Sequence, residues 1–204
     1  MGDYAALLAP IPEPDLLVRP PPERSEGPLG YSLRLAEANC LTLHELSGLG
    51  FRYELAFLTR QRLLPEVALD PDLHAHVARL GFLLENNGRI WNQRYARFCP
   101  QCLAEDSTWR ASWELFFHDA CPRHGGWLVD ICSSCGESVR WHRESLLRCQ
   151  CGSDLREESP GTAPENVRRL SGILEDKLLC RGDANVPPPL IGLDVDQTQR
   201  LIRY

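Results

Sequence analysis

The sequence lacks any apolar run long enough to span a bilayer, and residues 1–17, broken by prolines and acids, show neither the charged start nor the apolar run expected of a secretory signal. The expectation is a cytoplasmic protein with no membrane partner, in a reducing compartment where thiolates stay free to bind metal. Lysine is nearly missing: Lys177 is the one lysine among 22 basic residues, the rest being arginine. Arginine suits bidentate contacts to phosphate or carboxylate, although a nucleotide bias in the source genome gives the same excess. A basic face is missing too. Residues 1–88 hold 12 acidic and 7 basic side chains, residues 89–156 hold 8 and 9, and residues 157–204 hold 8 and 6, for a net charge of −6. A protein that grips nucleic acid by neutralising many phosphates needs such a face, so any nucleic-acid contact here is local or shared with a partner.

Catalytic signatures are absent as well. There is no glycine-rich phosphate loop ending in Lys-Ser or Lys-Thr, and no G-x-S-x-G nucleophile turn. A zinc deaminase needs H-x-E followed by P-C-x-x-C. His142-Arg143-Glu144 meets the first half, but it lies after Cys99 and Cys102, and Phe98 stands where the proline belongs. These absences argue against an enzyme.

What is present is cysteine, nine in all, with seven between Cys99 and Cys151 and only Cys40 and Cys180 standing apart. Cys40 reads as a small buried residue. The seven fall mostly in close pairs, which favours metal over a disulfide framework. One cluster is Cys99-x2-Cys102, 18 intervening residues, then Cys121-x2-His124; the other is Cys132-x2-Cys135, 13 intervening residues, then Cys149-x-Cys151. Two residues between ligands let a tight knuckle aim both side chains at one ion, and two knuckles complete a tetrahedron. Gly125 and Gly136, each following a ligand, permit the positive φ that closes such a turn. His118, three residues before Cys121, is the rival to His124. Iron–sulfur ligation is the rival chemistry at the all-cysteine cluster, whose tight pairs match zinc ribbons better than ferredoxin spacing. Four protein donors leave no open position for water or substrate, so two structural Zn2+ ions are expected, each contributing roughly 10–16 kcal/mol of folding free energy. Trp109, Trp113, Phe116, Phe117 and Trp127, between the ligands, read as the small core of this module rather than a stacking platform for bases.

Around the clusters the chain divides into four parts. Residues 1–28 hold seven of the 16 prolines and read as an extended arm. Residues 29–88 read as a helical domain. Leu29, Leu33, Leu35 and Ala36 lie near helical spacing, Asn39–Leu41 is a turn, and Thr42 with Glu45 forms a capping box before Leu43, Leu46 and Leu49. The expectation is an N-terminal helix-turn-helix domain, with a plain helical hairpin as the alternative. A third helix is predicted from Asp70, with Pro71 at its first position, Leu73, Val77 and Leu80 on one face and His74 and His76 facing solvent. If residues 29–50 touch DNA, Arg52, Arg60 and Arg62 are the candidates for phosphate contacts. Residues 89–156 form the double zinc module. Residues 157–204 open with a linker, continue with an amphipathic helix over 165–179, and end inside what reads as an incomplete helix-turn-helix. The fold class is therefore mainly α with small zinc-ribbon and knuckle modules.

The order of these residues resembles one family. Arg97-Phe98-Cys99-Pro100-Gln101-Cys102-Leu103-Ala104-Glu105-Asp106, then Trp109-Arg110-Ala111-Ser112-Trp113, Cys121-Pro122-Arg123-His124-Gly125, Leu128, and Cys132-x2-Cys135-Gly136 is similar to the TniQ/TnsD family of transposition target-selection proteins. Glu26-Gly27-Pro28-Leu29-Gly30-Tyr31-Ser32-Leu33 resembles that family's opening helix-turn-helix segment, although the usual acidic-Ser-Leu-x-Ser start is altered. The likeness covers about residues 20–180. It implies a non-enzymatic adaptor that marks an insertion site and helps recruit an AAA+ ATPase regulator of the transposase. Longer members recognise attachment-site DNA; CRISPR-associated ones dock on an RNA-guided effector complex, in some cases as homodimers. The alternative from the residues themselves is a stand-alone, sequence-specific, zinc-containing DNA-binding regulator.

Overall fold

The computed structural model describes residues 16–49, 90–92, 94, 96–183 and 186–203. The helix predicted from Asp70 with its two histidines, the candidates Arg52, Arg60 and Arg62, and residues 1–15 of the proline-rich arm lie outside them. Among the described residues the structure is mainly helical and contains no sheet, only isolated antiparallel bridges.

Helix α1 spans Pro28–Ala38. Pro28 occupies its first turn, where a missing N–H costs nothing. The preceding Gly27 offers no side-chain cap, and the need is met from far along the chain. Both carboxylate oxygens of Glu114 accept from the Leu29 amide at 3.1 and 3.3 Å, and Oε1 accepts from the Gly30 amide at 3.1 Å. Little room exists for anything else: a Cβ on Gly27 would stand 2.2 Å from Glu114 Oε1, and one on Gly30 would stand 2.4 Å from the Trp109 Cβ. Residues 25–27 pair with 109–111 through Gly27 N–H to Trp109 C=O and Ala111 N–H to Ser25 C=O, both 2.8 Å.

At its other end α1 stops on Asn39 and Cys40, the latter at φ 55°. Cys40 is exposed, not buried as expected, and takes the left-handed position after a helix that glycine usually fills. The Asn39 side chain donates to Val18 C=O at 2.7 Å and accepts the Val18 amide at 2.9 Å. Tyr31 Oη donates to Pro20 C=O at 2.9 Å and Arg34 to Pro21 C=O at 2.7 Å, so residues 18–21 are strapped along α1. Helix α2, Leu43–Gly48, opens with the expected capping box, Thr42 Oγ1 accepting the Glu45 amide and Glu45 the Thr42 amide.

The core centres on Trp109. Phe98, Trp113 and Trp141 pack around it with centroid separations of 5.4, 5.7 and 5.3 Å. The Arg143 guanidinium sits 4.6 Å from its centroid. Helix α3, Pro100–Asp106, packs on the 3-10 turn Leu155–Glu157, and its Leu103 is buried. Helix α4, Glu165–Leu178, follows the predicted amphipathic pattern. Ser171 Oγ accepts the Asp119 and Ala120 amides at 3.2 and 3.1 Å, and Glu175 accepts Ser112 Oγ at 3.1 Å, fixing α4 to the module. Helix α5, Val195–Ile202, starts with a second capping box, Asp194 with Gln197. The single lysine, Lys177, holds the intervening loop by donating to Asp183 at 3.0 Å and to Leu193 C=O at 2.6 Å.

Two outcomes check the seam between α1 and Trp109. Gly30→Ala forces a methyl into the Trp109 side chain and should cost about 1–3 kcal/mol of unfolding free energy, whereas Gly48→Ala, with nothing within 4 Å of its Cβ, should stay within about 0.5 kcal/mol of wild type; equal effects in urea denaturation would contradict the close approach. Glu114 supplies the second test. Burial pushes its carboxyl up from 4.5 to about 8, against the two amides that favour the charged form. Between those values the folded chain holds a proton that the unfolded chain lacks. The contribution to stability is complete below about pH 4.5 and lost as pH rises through about 8. The stability of wild type relative to Glu114→Gln should accordingly fall by roughly 1 kcal/mol per pH unit between pH 5 and 7.5. A flat difference would mean the folded carboxyl is ionised.

Candidate metal centres

Local backbone geometry places each predicted donor. Cys99 is the residue before α3 and Cys102 lies in its first turn, so one helix start carries both. Cys121 and His124 sit on a turn closed by the Gly125 amide donating to Cys121 C=O at 2.8 Å, with Gly125 at φ 74°. The second cluster repeats the device: the Gly136 amide reaches Cys132 C=O at 2.8 Å with φ 73°, and the Gly152 amide reaches Cys149 C=O at 2.8 Å with φ 92°. An L side chain is disfavoured at such φ values, which is why glycine follows these knuckles.

The donor atoms converge. Cys99, Cys102, Cys121 and His124 form one group and Cys132, Cys135, Cys149 and Cys151 another, all donor atoms within a group lying within 4.8 Å of each other. None of these seven cysteines is in a disulfide. In the first group Cys102 and Cys121 sulfurs are 3.7 Å apart, and His124 Nδ1 stands 3.4, 3.3 and 3.5 Å from the sulfurs of Cys99, Cys102 and Cys121. In the second, Cys132 to Cys151 is 3.8 Å and Cys135 to Cys149 is 3.9 Å. A tetrahedral ion with metal–sulfur bonds of about 2.3 Å and a metal–nitrogen bond near 2.05 Å spaces its ligands at about 3.8 Å for S···S and about 3.5 Å for S···N. Both groups fit that spacing and could hold a metal ion.

Crowding splits the ionisation of the thiols. The Cys102 and Cys99 thiols hold the Cys121 thiol far below its ordinary range, while the same crowding drives Cys102 upward. In the second group the Ser153 hydroxyl, 3.2 Å from Cys151 and 3.0 Å from Cys132, brings Cys151 down to about 6, whereas burial pushes Cys149 up to about 12. Neighbouring thiols oppose one another's ionisation unless a cation sits among them.

His118 does not join either group. It is fully buried with Nε2 3.6 Å from Glu175 Oε2, beyond hydrogen-bond reach, facing α4 instead of the sulfurs. In His142-Arg143-Glu144 the central residue is buried under Trp109, donating to the carbonyls of Ser145 and Leu146 at 3.0 and 3.2 Å; burial brings it down to about 9. Of the aromatics between the ligands, Trp109 and Trp113 are core, while Phe116 and Trp127 are 36% and 40% exposed, and Arg203 covers the Phe116 and Phe117 rings.

Sequence reasoning passed over three polar residues at the clusters. Glu105 Oε1 lies 2.9 Å from His124 Nε2, and its Oε2 accepts from Arg123 at 2.7 Å. The signal was its place one turn after Cys102 on α3. Ser153, two residues after Cys151, is the third.

A family model described as TniQ matches residues 17–128, more than half of the chain. The match takes in α1, α2, α3 and the whole first cluster. No curated protein matches the chain.

Burial separates the two groups: the three cysteines of the first are buried, whereas Cys135 and Cys151 of the second are exposed. Zinc-loaded protein should contain two ions per chain and release them to a chelator in two phases, the second cluster first. Tryptophan fluorescence should change in the fast phase, because Trp141 on the ribbon between its ligands packs on Trp109. Fewer than two zinc ions per chain, or loss of both ions in a single phase, would contradict this arrangement.

Proposed function

We propose that this chain, which belongs to the TniQ family, is a non-enzymatic target-selection adaptor of a bacterial transposon. It links target DNA or an RNA-guided targeting complex to an AAA+ ATPase regulator of transposition. The observation that carries the proposal is the TniQ match over residues 17–128, which joins the N-terminal helices and the first Cys/His cluster in one span.

The two clusters support an organising role. Each presents four protein donors, so a zinc ion held there has no free position for water or substrate and supplies cross-linking, not chemistry. The first centre would be held by Cys99, Cys102, Cys121 and His124, the second by Cys132, Cys135, Cys149 and Cys151. Among the described residues no helix is long and apolar enough to cross a membrane.

The stand-alone DNA-reading alternative rests on the α1–α2 pair. It draws less support from the side chains, because α2, Leu43–Gly48, carries no arginine or lysine, and the Arg34 guanidinium of α1 is committed to Glu26 at 2.6 Å. A reading helix without a cation has little with which to approach phosphate.

Reconstitution tests the proposal. Targeted insertion with transposase, ATPase and targeting partner should fall to the untargeted background when this protein is omitted, and the ATPase should be retained on immobilised adaptor. Unchanged targeting without the protein would sink the adaptor reading. Tight, salt-dependent binding of the isolated protein to one selected duplex would favour the regulator instead.

A further inference from the structure

We propose that Glu105 is a positioning residue for the first metal centre, holding His124 in the one neutral tautomer that can bind the ion. The inference rests on the reading that this cluster is a metal site.

The geometry leaves one arrangement. His124 Nδ1 lies 3.3–3.5 Å from the three sulfurs, so this nitrogen must offer its lone pair to the ion. A neutral imidazole carries one proton, which then resides on Nε2. That nitrogen is 2.9 Å from Glu105 Oε1, an acceptor only, so the N–H···O bond is satisfied in the ligating tautomer and lost in the other. The carboxylate is itself held, since Arg123 donates to its second oxygen at 2.7 Å. Helix α3 enforces the register: Cys102 and Glu105 are three residues apart and share a face, so the helix that supplies a sulfur also supplies the partner of the imidazole. Carboxylate partners of this kind raise ligand basicity and fix ring orientation, and losing one typically costs 10–100-fold in metal affinity.

The test uses the full chain loaded with cadmium-113, which should give two resonances, one from the three-sulfur, one-nitrogen centre and one from the four-sulfur centre. In Glu105→Ala the first resonance should move while the second stays, zinc affinity of the first centre by chelator competition should fall about 10–100-fold, and the hydrogen-bonded Nε2–H signal of His124 should vanish. Glu105→Gln keeps an acceptor oxygen and should restore the signal and most of the affinity. If the alanine variant fails to fold, Glu105→Asp, one methylene too short to reach Nε2, carries the same expectation. Two bound ions with an unmoved first resonance and affinity within about threefold of wild type would overturn the role of Glu105 and leave the metal centre standing. Wild-type protein binding fewer than two cadmium ions would overturn the metal reading beneath it.

Discussion

The packing of Trp109 against the backbone of Gly30 is the constraint from which the other contacts follow. With no Cβ at residue 30, α1 lies close enough for Glu114 to reach its first amides and for residues 25–27 to pair with 109–111. The same indole receives Phe98 from the segment entering the first cluster and Trp141 and Arg143 from the ribbon of the second. One side chain thus touches the N-terminal helix and both metal-binding segments. Aromatic pairs of this kind contribute about 0.5–1.5 kcal/mol each beyond their buried area, so the hub is a large share of a marginal total.

The hub alone does not order the chain around it. Between α3 and α4 the described backbone has only short 3-10 turns and isolated bridges, so few hydrogen-bond ladders oppose its conformational entropy. The knuckles fill that role. Phe98, a hub partner, immediately precedes the ligand Cys99, and the Phe98–Val129 backbone pair, with bonds of 3.0 and 2.8 Å, ties it to the segment leading into Cys132. A bound ion and the aromatic core would therefore stabilise the same residues from two sides.

Features set by short-range geometry were readable from the residues alone. Ligand pairs two apart, the glycines that close their turns, the Thr42–Glu45 cap and the start of α4 after Pro164 all depend on neighbours within a few positions. The features that escaped depend on distant partners. Glu114 looks like an ordinary acid in a helical turn until α1 brings its amide ends to it from 85 residues away. Arg143 drew notice only as the middle of the His142-Arg143-Glu144 run, yet its guanidinium lies 4.6 and 5.8 Å from the centroids of the Trp109 and Trp141 rings. Cys40 and Cys180 stood apart as lone thiols; both turn out to follow helices at positive φ, 55° and 54°. Phe116 and Trp127 were assigned to the core by residue type, which says nothing about the side of the turn each occupies.

The second cluster shows how a site can be exposed at its metal end and still matter at its base. It lies beyond the span matched by the family, and two of its four cysteines face solvent. Its ribbon nonetheless places Trp141 and Arg143 on the hub, and the loop between its ligand pairs is gripped by Glu37 of α1, which accepts Ser145 Oγ at 2.9 Å and the Leu146 amide at 2.8 Å. Detaching that ribbon uncovers Trp109 and lifts the Arg143 guanidinium off its ring, 4.6 Å from the centroid, while that side chain keeps its carbonyl acceptors on the same loop. The second cluster is therefore better described as a clasp over the shared core than as an appended finger.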